Sequence, residues 1–144
     1  MKEQEVLKAC LEYIRWKGYY CQRVHSGLVK VQMGKSERWM HLADKGTPDI
    51  LACIAGKFVG IEVKAGKEAK RRWHASVKKA HDMKALTSPD LTCVAQHEQM
   101  QVIEKAGGCT ALVSSLKEME YVINIIENDC KKHEGLACGS VQKW

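Results

Sequence analysis

Several stretches of the chain repeat apolar residues every three to four positions, the spacing of an amphipathic helix. The apolar face of the first stretch consists of Leu7, Cys10, Leu11 and Ile14. The apolar face of the last consists of Leu116, Met119, Val122, Ile123 and Ile126. Gly18 ends the first pattern and Gly107-Gly108 ends a third, so we predict helices over residues 2–17, 92–106 and 115–127.

Other stretches carry the β-branched and aromatic residues that favour strands. Residues 19–33 predict one or two strands, because Ser26-Gly27 interrupts them. Residues 34–47 are polar and predict a loop with a short strand near residues 39–41. Residues 109–113 predict a short apolar strand. Strands that alternate with helices indicate an α/β fold.

The chain length fits one domain, which we place over residues 1–127. Residues 128–144 lack clear periodicity and are predicted to be a flexible tail. The formal net charge of +6 favours a polyanionic partner, although a solvated lysine-rich surface would give the same charge. The N-terminus begins an amphipathic pattern rather than a signal peptide, and no apolar run is long enough to span a membrane.

The seven cysteines include no CxxC pair, which favours a reduced, cytoplasmic setting. Cys130, His133 and Cys138 lie close in sequence, but their spacing is not a familiar zinc pattern and a fourth ligand is not evident. We interpret His25 and His41 as solvated polar positions, although neighbouring strands would also allow them to approach the site described next.

The segment 48–64 predicts an antiparallel hairpin. Two strand-like runs are joined by Gly56-Lys57, and a glycine in the first central position favours a type II′ turn. The register counted back from this turn sets Asp49 opposite Lys64.

Side chains alternate between the two faces of a strand, so the hairpin has one apolar and one polar face. The apolar face, which must lie on the core, consists of Ile50, Ala52, Ile54, Val59, Ile61 and Val63. The other face brings Asp49, Glu62 and Lys64 together at the open end of the hairpin. A slip of one residue would put these charges into the core, so the pattern specifies its own faces.

This group of charges suits phosphodiester hydrolysis. Two neighbouring carboxylates repel each other, and Mg²⁺ relieves that repulsion through oxygen ligands, among which the Val63 carbonyl is a further candidate. A bound metal lowers the pKa of water, and Lys64 is placed to orient or deprotonate that water or to stabilise the transition state. An isolated Glu-x-Lys usually forms a surface ion pair worth about 0–1 kcal/mol. The preceding Gly-x-Pro-Asp sequence favours the catalytic interpretation.

Gly46-Thr47-Pro48-Asp49, an apolar strand and Ile61-Glu62-Val63-Lys64 resemble the PD-(D/E)xK nuclease motif. Within that superfamily the chain is similar to the VRR-NUC group, the virus-type replication-repair nucleases, over residues 5–126. Glu5 resembles the family's glutamate on the N-terminal helix, with Glu3 as a competitor. Gln96 resembles the glutamine that follows the ExK strand, with Gln99 and Gln101 as competitors.

The resemblance implies a restriction-endonuclease-like core, with a mixed β-sheet flanked by helices. It implies that Asp49 and Glu62 bind Mg²⁺ or Mn²⁺, that Lys64 activates water, that Glu5 supports the metal site and that Gln96 orients substrate or water. The implied partner is branched, flapped or four-way-junction DNA, and the implied assembly is a homodimer from a phage or prophage setting. The alternatives are a non-catalytic junction-binding module and a sequence-specific restriction-type endonuclease.

The chain departs from the family pattern by a basic insertion at residues 65–91, helical over about 72–85. We predict that its basic side chains contact DNA phosphates; these are Lys67, Lys70, Arg71, Arg72, Lys78 and Lys79. Trp73 lies among them and would stack on an unpaired base. The alternative is a solvated, mobile basic loop with Trp73 packed on the body of the protein.

Overall fold

The structure is a computed structural model, and it describes residues 2–133. Four helices and six strands occur in it, in the order α1 (Glu3–Trp16), β1 (Tyr20–Arg23), β2 (Leu28–Met33), β3 (Ser36–His41), β4 (Ile50–Ile54), β5 (Lys57–Val63), α2 (Gly66–His81), α3 (Ser88–Lys105), β6 (Cys109–Val113) and α4 (Leu116–His133). Within the described residues, no helix is both long enough and apolar enough to cross a membrane.

Four of the strands form one mixed sheet, in the order β1-β4-β5-β6. Strand β4 runs antiparallel to both β1 and β5, whereas β5 and β6 are parallel. Helices α1 and α4 pack on one face of this sheet, and α3 packs on the other with α2 beside it. The predicted α/β domain with a mixed sheet flanked by helices is therefore confirmed.

The core lies between the sheet and the helices α1 and α4. All six residues that the alternation assigned to the apolar face of the hairpin are buried there; they are Ile50, Ala52, Ile54, Val59, Ile61 and Val63. The predicted faces of the β4–β5 hairpin are therefore correct. Burial of these side chains is what holds the opposite, charged face in its place.

The predicted turn of this hairpin was wrong by one residue. Ile54 pairs with Lys57, so Ala55-Gly56 is the two-residue turn. Both turn residues have positive φ, 49° and 79°, as a type I′ turn requires. Moving the turn centre by one residue shifts each pairing by two, and an even shift leaves every side chain on its predicted face.

The insertion at residues 65–91 contains the whole of α2 and the first turn of α3, so more of it is helical than predicted. Helix α2 begins at Gly66, earlier than predicted, and α3 begins at Ser88 rather than at residue 92. The early start of α3 follows from a capping box, in which the Asp90 carboxylate accepts a hydrogen bond from the Thr87 backbone N–H at 2.9 Å. Asp90 also accepts a hydrogen bond of 2.5 Å from the Ser76 hydroxyl, which ties α3 to α2.

The last helix extends to His133, so the prediction of a flexible tail from residue 128 was wrong for its first part. Cys130 continues the helical spacing of the buried Ile123 and Ile126 and packs against the core. An ion pair of 2.8 Å between Asp129 and Lys57 also holds this last part of α4 on the sheet. The rest of the predicted tail lies outside the described residues.

Residues 34–47, predicted to be mostly loop, contain the full strand β3. It pairs with β2 along its whole length, and the two strands form a separate two-stranded ribbon. Every side chain of β3 is exposed. The ribbon is therefore outside the core, which explains why its sequence shows no regular apolar face.

Candidate active site

Asp49 and Glu62 lie side by side on the face of the sheet that packs against α3. Ile50 pairs with Ile61, so Asp49, one residue earlier, lies beside Glu62, one residue later. The Asp49 Oδ2 atom accepts a hydrogen bond of 2.8 Å from the backbone N–H of Val63, which fixes the Asp49 carboxylate against β5. The predicted pairing of Asp49 with Lys64 is replaced by this direct juxtaposition of two carboxylates.

The Glu62 side chain is buried, with a residue exposure of 2%. The pKa of its carboxyl is raised to about 8, chiefly by burial in a poorly solvated site and further by the negative charge of Asp49, while Lys64 opposes both effects. A buried carboxyl beside a second carboxylate is stabilised in its charged form by an additional cation. Ionisation of Glu62 therefore depends on positive charge close to the two carboxylates.

Lys64 and Gln96 both contact Glu62. The Lys64 Nζ atom lies 3.1 Å from the Glu62 Oε1 atom and donates a second hydrogen bond of 3.1 Å to the Gln96 Oε1 atom. The Gln96 Nε2 atom donates a hydrogen bond of 2.6 Å to the same Glu62 oxygen. Of the three glutamines proposed from the sequence, Gln96 is the one that the structure brings to this site; the other two are Gln99 and Gln101.

Trp73 is buried beside the active site, where it contacts Gln96, and its ring is not available for base stacking. Only 4% of its surface is exposed, and its Nε1–H donates a hydrogen bond of 2.9 Å to the Gln96 Oε1 atom. The structure therefore favours the alternative in which Trp73 packs on the body of the protein. No sequence pattern indicates the Trp73–Gln96 contact, because the contact depends on how α2 packs against α3.

Gly46, the glycine of the Gly-x-Pro-Asp motif, packs directly against the backbone of α3. A Cβ atom at this position would lie 2.3 Å from the carbonyl oxygen of Ala95, the residue that precedes Gln96. The φ angle of Gly46 is +86°, in the region that favours glycine. The glycine thus brings the loop that carries Asp49 and the helix that carries Gln96 close together.

A cleft of about 260 Å³ opens beside Asp49 and Val63. Its other polar lining residues are Glu3, Gln4, Arg23, His25 and Ser26. Glu5 does not line it: the Glu5 side chain is exposed and accepts a hydrogen bond of 2.9 Å from the Lys2 backbone N–H as part of a capping box. Glu3, the competitor considered from the sequence, is therefore the α1 glutamate that faces the site.

A second pocket, of about 340 Å³, lies between α2 and α3 and reaches Lys64. Arg72 and Lys79 contribute basic side chains to its wall. Three of the predicted DNA-contacting residues are exposed and form no ion pair within residues 2–133; these are Lys67, Arg72 and Lys78. The other three pair with acids: Lys70 with Glu118, Arg71 with Glu68 and Lys79 with Asp90. The free basic charge of α2 is therefore smaller than its composition suggests.

The residues present fit a magnesium or manganese ion better than zinc. Residues 2–133 contain no cluster of three or more His, Cys, Asp or Glu side chains placed to hold a metal. Two carboxylates and a backbone oxygen, from Asp49, Glu62 and Val63, are the kind of partial oxygen shell that Mg²⁺ takes when substrate and water complete it.

The structure gives no support to a zinc site at the end of α4. The Cys130 thiol donates to the Ala55 carbonyl at 3.2 Å, and the ring of His133 lies 3.6 Å from Asp129. Cys138 lies outside the described residues. His41 is exposed at the end of β3, whereas His25 lines the cleft beside Asp49.

Comparison of the chain with protein-family models gives no match. Comparison with curated proteins gives no significant match either.

Proposed function

We propose that the protein is a metal-dependent DNA endonuclease with a restriction-endonuclease-like core and an active site of the PD-(D/E)xK type. The observation that carries this proposal is the position of Glu62. It is a buried carboxyl beside Asp49, and Lys64 and Gln96 converge on one of its oxygens. An ordinary surface ion pair would be solvated, and no buried side chains would be needed to hold its two partners in place.

Asp49, Glu62 and the Val63 carbonyl would hold Mg²⁺ or Mn²⁺, which when bound lowers the pKa of water and withdraws charge from a phosphate. Lys64 contributes a positive charge beside the same site and donates hydrogen bonds toward the attacking water or the phosphate oxygens. Gln96 keeps Glu62 in place. Glu62 must lose its proton to bind the metal, and the positive charges of Lys64 and of the metal would favour that loss.

The substrate we propose is DNA, held by its phosphates along the exposed basic side chains of α2, namely Lys67, Arg72 and Lys78. Such contacts give affinity without sequence specificity. We further propose branched, flapped or four-way-junction DNA as the preferred substrate and a homodimer as the active form, because two-fold symmetry places two active sites on a symmetric junction.

The deciding experiment is cleavage of labelled duplex, single-stranded, flapped and four-way-junction DNA with Mn²⁺, with Mg²⁺ and with chelator. The variants are Asp49→Asn and Lys64→Ala, with Lys117→Ala on α4 as a control for loss of a lysine away from the site. We expect metal-dependent cleavage by the wild type and the control, and none by the other two. Binding without cleavage under every metal condition would instead identify a non-catalytic DNA-binding module, and cleavage of one duplex sequence alone would identify a restriction-type enzyme.

A further inference from the structure

The ribbon formed by β2 and β3 is the least packed part of the described chain. Neither strand packs extensively on any other element of residues 2–133. Large apolar side chains are nevertheless exposed along it and just beyond it; these are Leu28, Met33, Trp39, Met40 and Leu42. An isolated two-stranded ribbon is only marginally stable in water, so this one is expected to have a binding partner.

The base of the ribbon forms one wall of the cleft beside Asp49. Leu42 donates a backbone hydrogen bond of 3.1 Å to Gly27, and both residues line that cleft. Lys64, on the other side of the active site, borders the pocket between α2 and α3. A chain passing through the active site would therefore meet the ribbon from one side and α2 from the other.

The charge of the ribbon suits a polyanion. Its one acid, Glu37, is already paired with Lys30 at 2.5 Å. Lys35 and Arg38 are exposed and form no ion pair with any residue that the structure describes. The described ribbon thus carries two basic side chains without an ion-pair partner and no unpaired acidic side chain. This charge favours a phosphate group over an ordinary protein surface as the ligand.

Trp39 gives the ribbon a means to distinguish paired from unpaired bases. Its ring is 66% exposed, and the Lys30 ammonium lies 5.9 Å from the ring centroid. An exposed indole flanked by a cation stacks on a base that is not already stacked within a duplex. The stacking role that the sequence suggested for Trp73 is therefore available at Trp39.

Resting on the proposed nuclease function, we infer that the β2–β3 ribbon is a second DNA-binding element. Trp39 on one face stacks on an unpaired base next to the cleavage site, while Arg38 on the opposite face and Lys35 in the turn contact backbone phosphates. The substrate class is thus DNA with an unpaired segment, such as a flap or a junction. The ribbon binds this segment, while α2 binds the phosphates on the other side of the site.

The test is equilibrium binding to flapped, single-stranded and fully duplex DNA in chelator, at several salt concentrations, with cleavage in Mn²⁺ measured on the same preparations. The ribbon variants are Trp39→Ala and Lys35→Ala/Arg38→Ala. Their matched controls are Trp16→Ala, another exposed tryptophan, and Lys117→Ala/Lys131→Ala, which removes the same charge from α4. Unfolding midpoints and molecular mass in solution are measured for every variant.

We expect Trp39→Ala to weaken binding of flapped and single-stranded DNA by about 5- to 100-fold and to leave duplex binding nearly unchanged. The double ribbon variant should weaken binding of all three DNAs and reduce the slope of log affinity against log salt by about 1 to 2. The controls should bind as the wild type does, and the unfolding midpoints should not change.

Ribbon variants that bind as tightly as their controls, while the wild type binds and cuts, would overturn the inference and leave the proposed nuclease function intact. A wild-type protein that neither binds nor cuts any of the DNAs would overturn both. A ribbon variant that changes a dimer into a monomer would also overturn the inference, because the partner of the ribbon would then be a second copy of the chain.

Discussion

The side-chain amide of Gln96 donates a hydrogen bond of 2.6 Å to the Oε1 atom of Glu62. The other end of the amide is also occupied, because Gln96 Oε1 accepts hydrogen bonds from Lys64 and Trp73. These two donors fix which way the amide points, so its N–H group must face the carboxyl. Through this one residue, helix α3 determines the orientation of a side chain on the central sheet.

Replacing Gln96 by Ala should weaken metal-dependent cleavage by about 10- to 100-fold, the usual effect of removing a residue that holds a metal ligand in place. Gln101→Ala is the matched control, because Gln101 lies exposed on the same helix. Cleavage rates are compared across a series of Mn²⁺ concentrations. Equal rates for Gln96→Ala and Gln101→Ala would show that the contact with Glu62 has no part in catalysis.

Trp73→Phe should separate the packing of this residue from its hydrogen bond. Phenylalanine keeps an aromatic ring in the buried site but cannot donate to Gln96, so about 1 kcal/mol of orienting interaction is lost. We expect cleavage to fall about fivefold and the Mn²⁺ concentration for half-maximal rate to rise, with a small change in unfolding midpoint. A large loss of stability with unchanged Mn²⁺ dependence would mean that Trp73 serves packing alone.

Alternation along the 48–64 segment was enough to predict which face of the hairpin is buried. Whether a residue occupies an odd or an even position along the strand decides which face its side chain is on. Burial of the six apolar side chains then keeps that face on the core. The exact partners could not be predicted, because Ala55-Gly56 and Gly56-Lys57 are both plausible two-residue turns. That difference of one residue sets Asp49 beside Glu62 instead of Lys64, which changes the electrostatics of the site.

The contacts made by the insertion could not be predicted from the sequence. Whether Trp73 faces solvent or α3 depends on the packing of two helices, and local periodicity carries no information about that packing. The sequence could not distinguish Glu3 from Glu5 for the same reason. Both lie in the first turn of α1, and only the position of the helix on the sheet decides which one lines the cleft beside Asp49. In contrast, the resemblance to the nuclease motif named Gln96 first, ahead of Gln99 and Gln101, and Gln96 is the one that contacts Glu62.

Metal-free protein should lose stability as the pH rises from about 5 to above 8. Because the folded-state pKa of Glu62 is raised from 4.5 to about 8, its contribution to stability is fully present below pH 4.5 and is lost as the pH rises through 8. The loss should be on the order of a few kcal/mol, since one pKa unit corresponds to about 1.4 kcal/mol. Denaturant unfolding in chelator at a series of pH values measures it.

Glu62→Gln is the control for this pH dependence, because the amide resembles the neutral carboxyl and does not titrate. Its free energy of unfolding should change less than that of the wild type between pH 5 and pH 8.5. Added Mn²⁺ should stabilise the wild type more as the pH rises over this range, because the metal requires a deprotonated carboxylate. Parallel pH profiles for the two proteins in chelator would contradict the assignment to Glu62.

Gly46→Ala should impair the site through the backbone. The added Cβ atom would overlap the carbonyl of Ala95, and the φ of +86° is unfavourable for alanine, so the loop that carries Asp49 must move away from α3. Gly18→Ala is the matched control, since Gly18 has a similar φ of +84° but no atom within 4 Å of the added Cβ. Both variants should lose about 1–3 kcal/mol from backbone strain.

Only Gly46→Ala should also lose cleavage, because the clash acts on the spacing between Asp49 and Gln96, and a shift of about 1 Å in a catalytic group is enough to lower the rate about 100-fold. Rates are measured at a temperature where both variants are fully folded, so that the difference reflects geometry and not unfolding. If the two variants cut equally well under those conditions, close packing of the motif loop on α3 is not required for the reaction, and Gln96 reaches Glu62 without it.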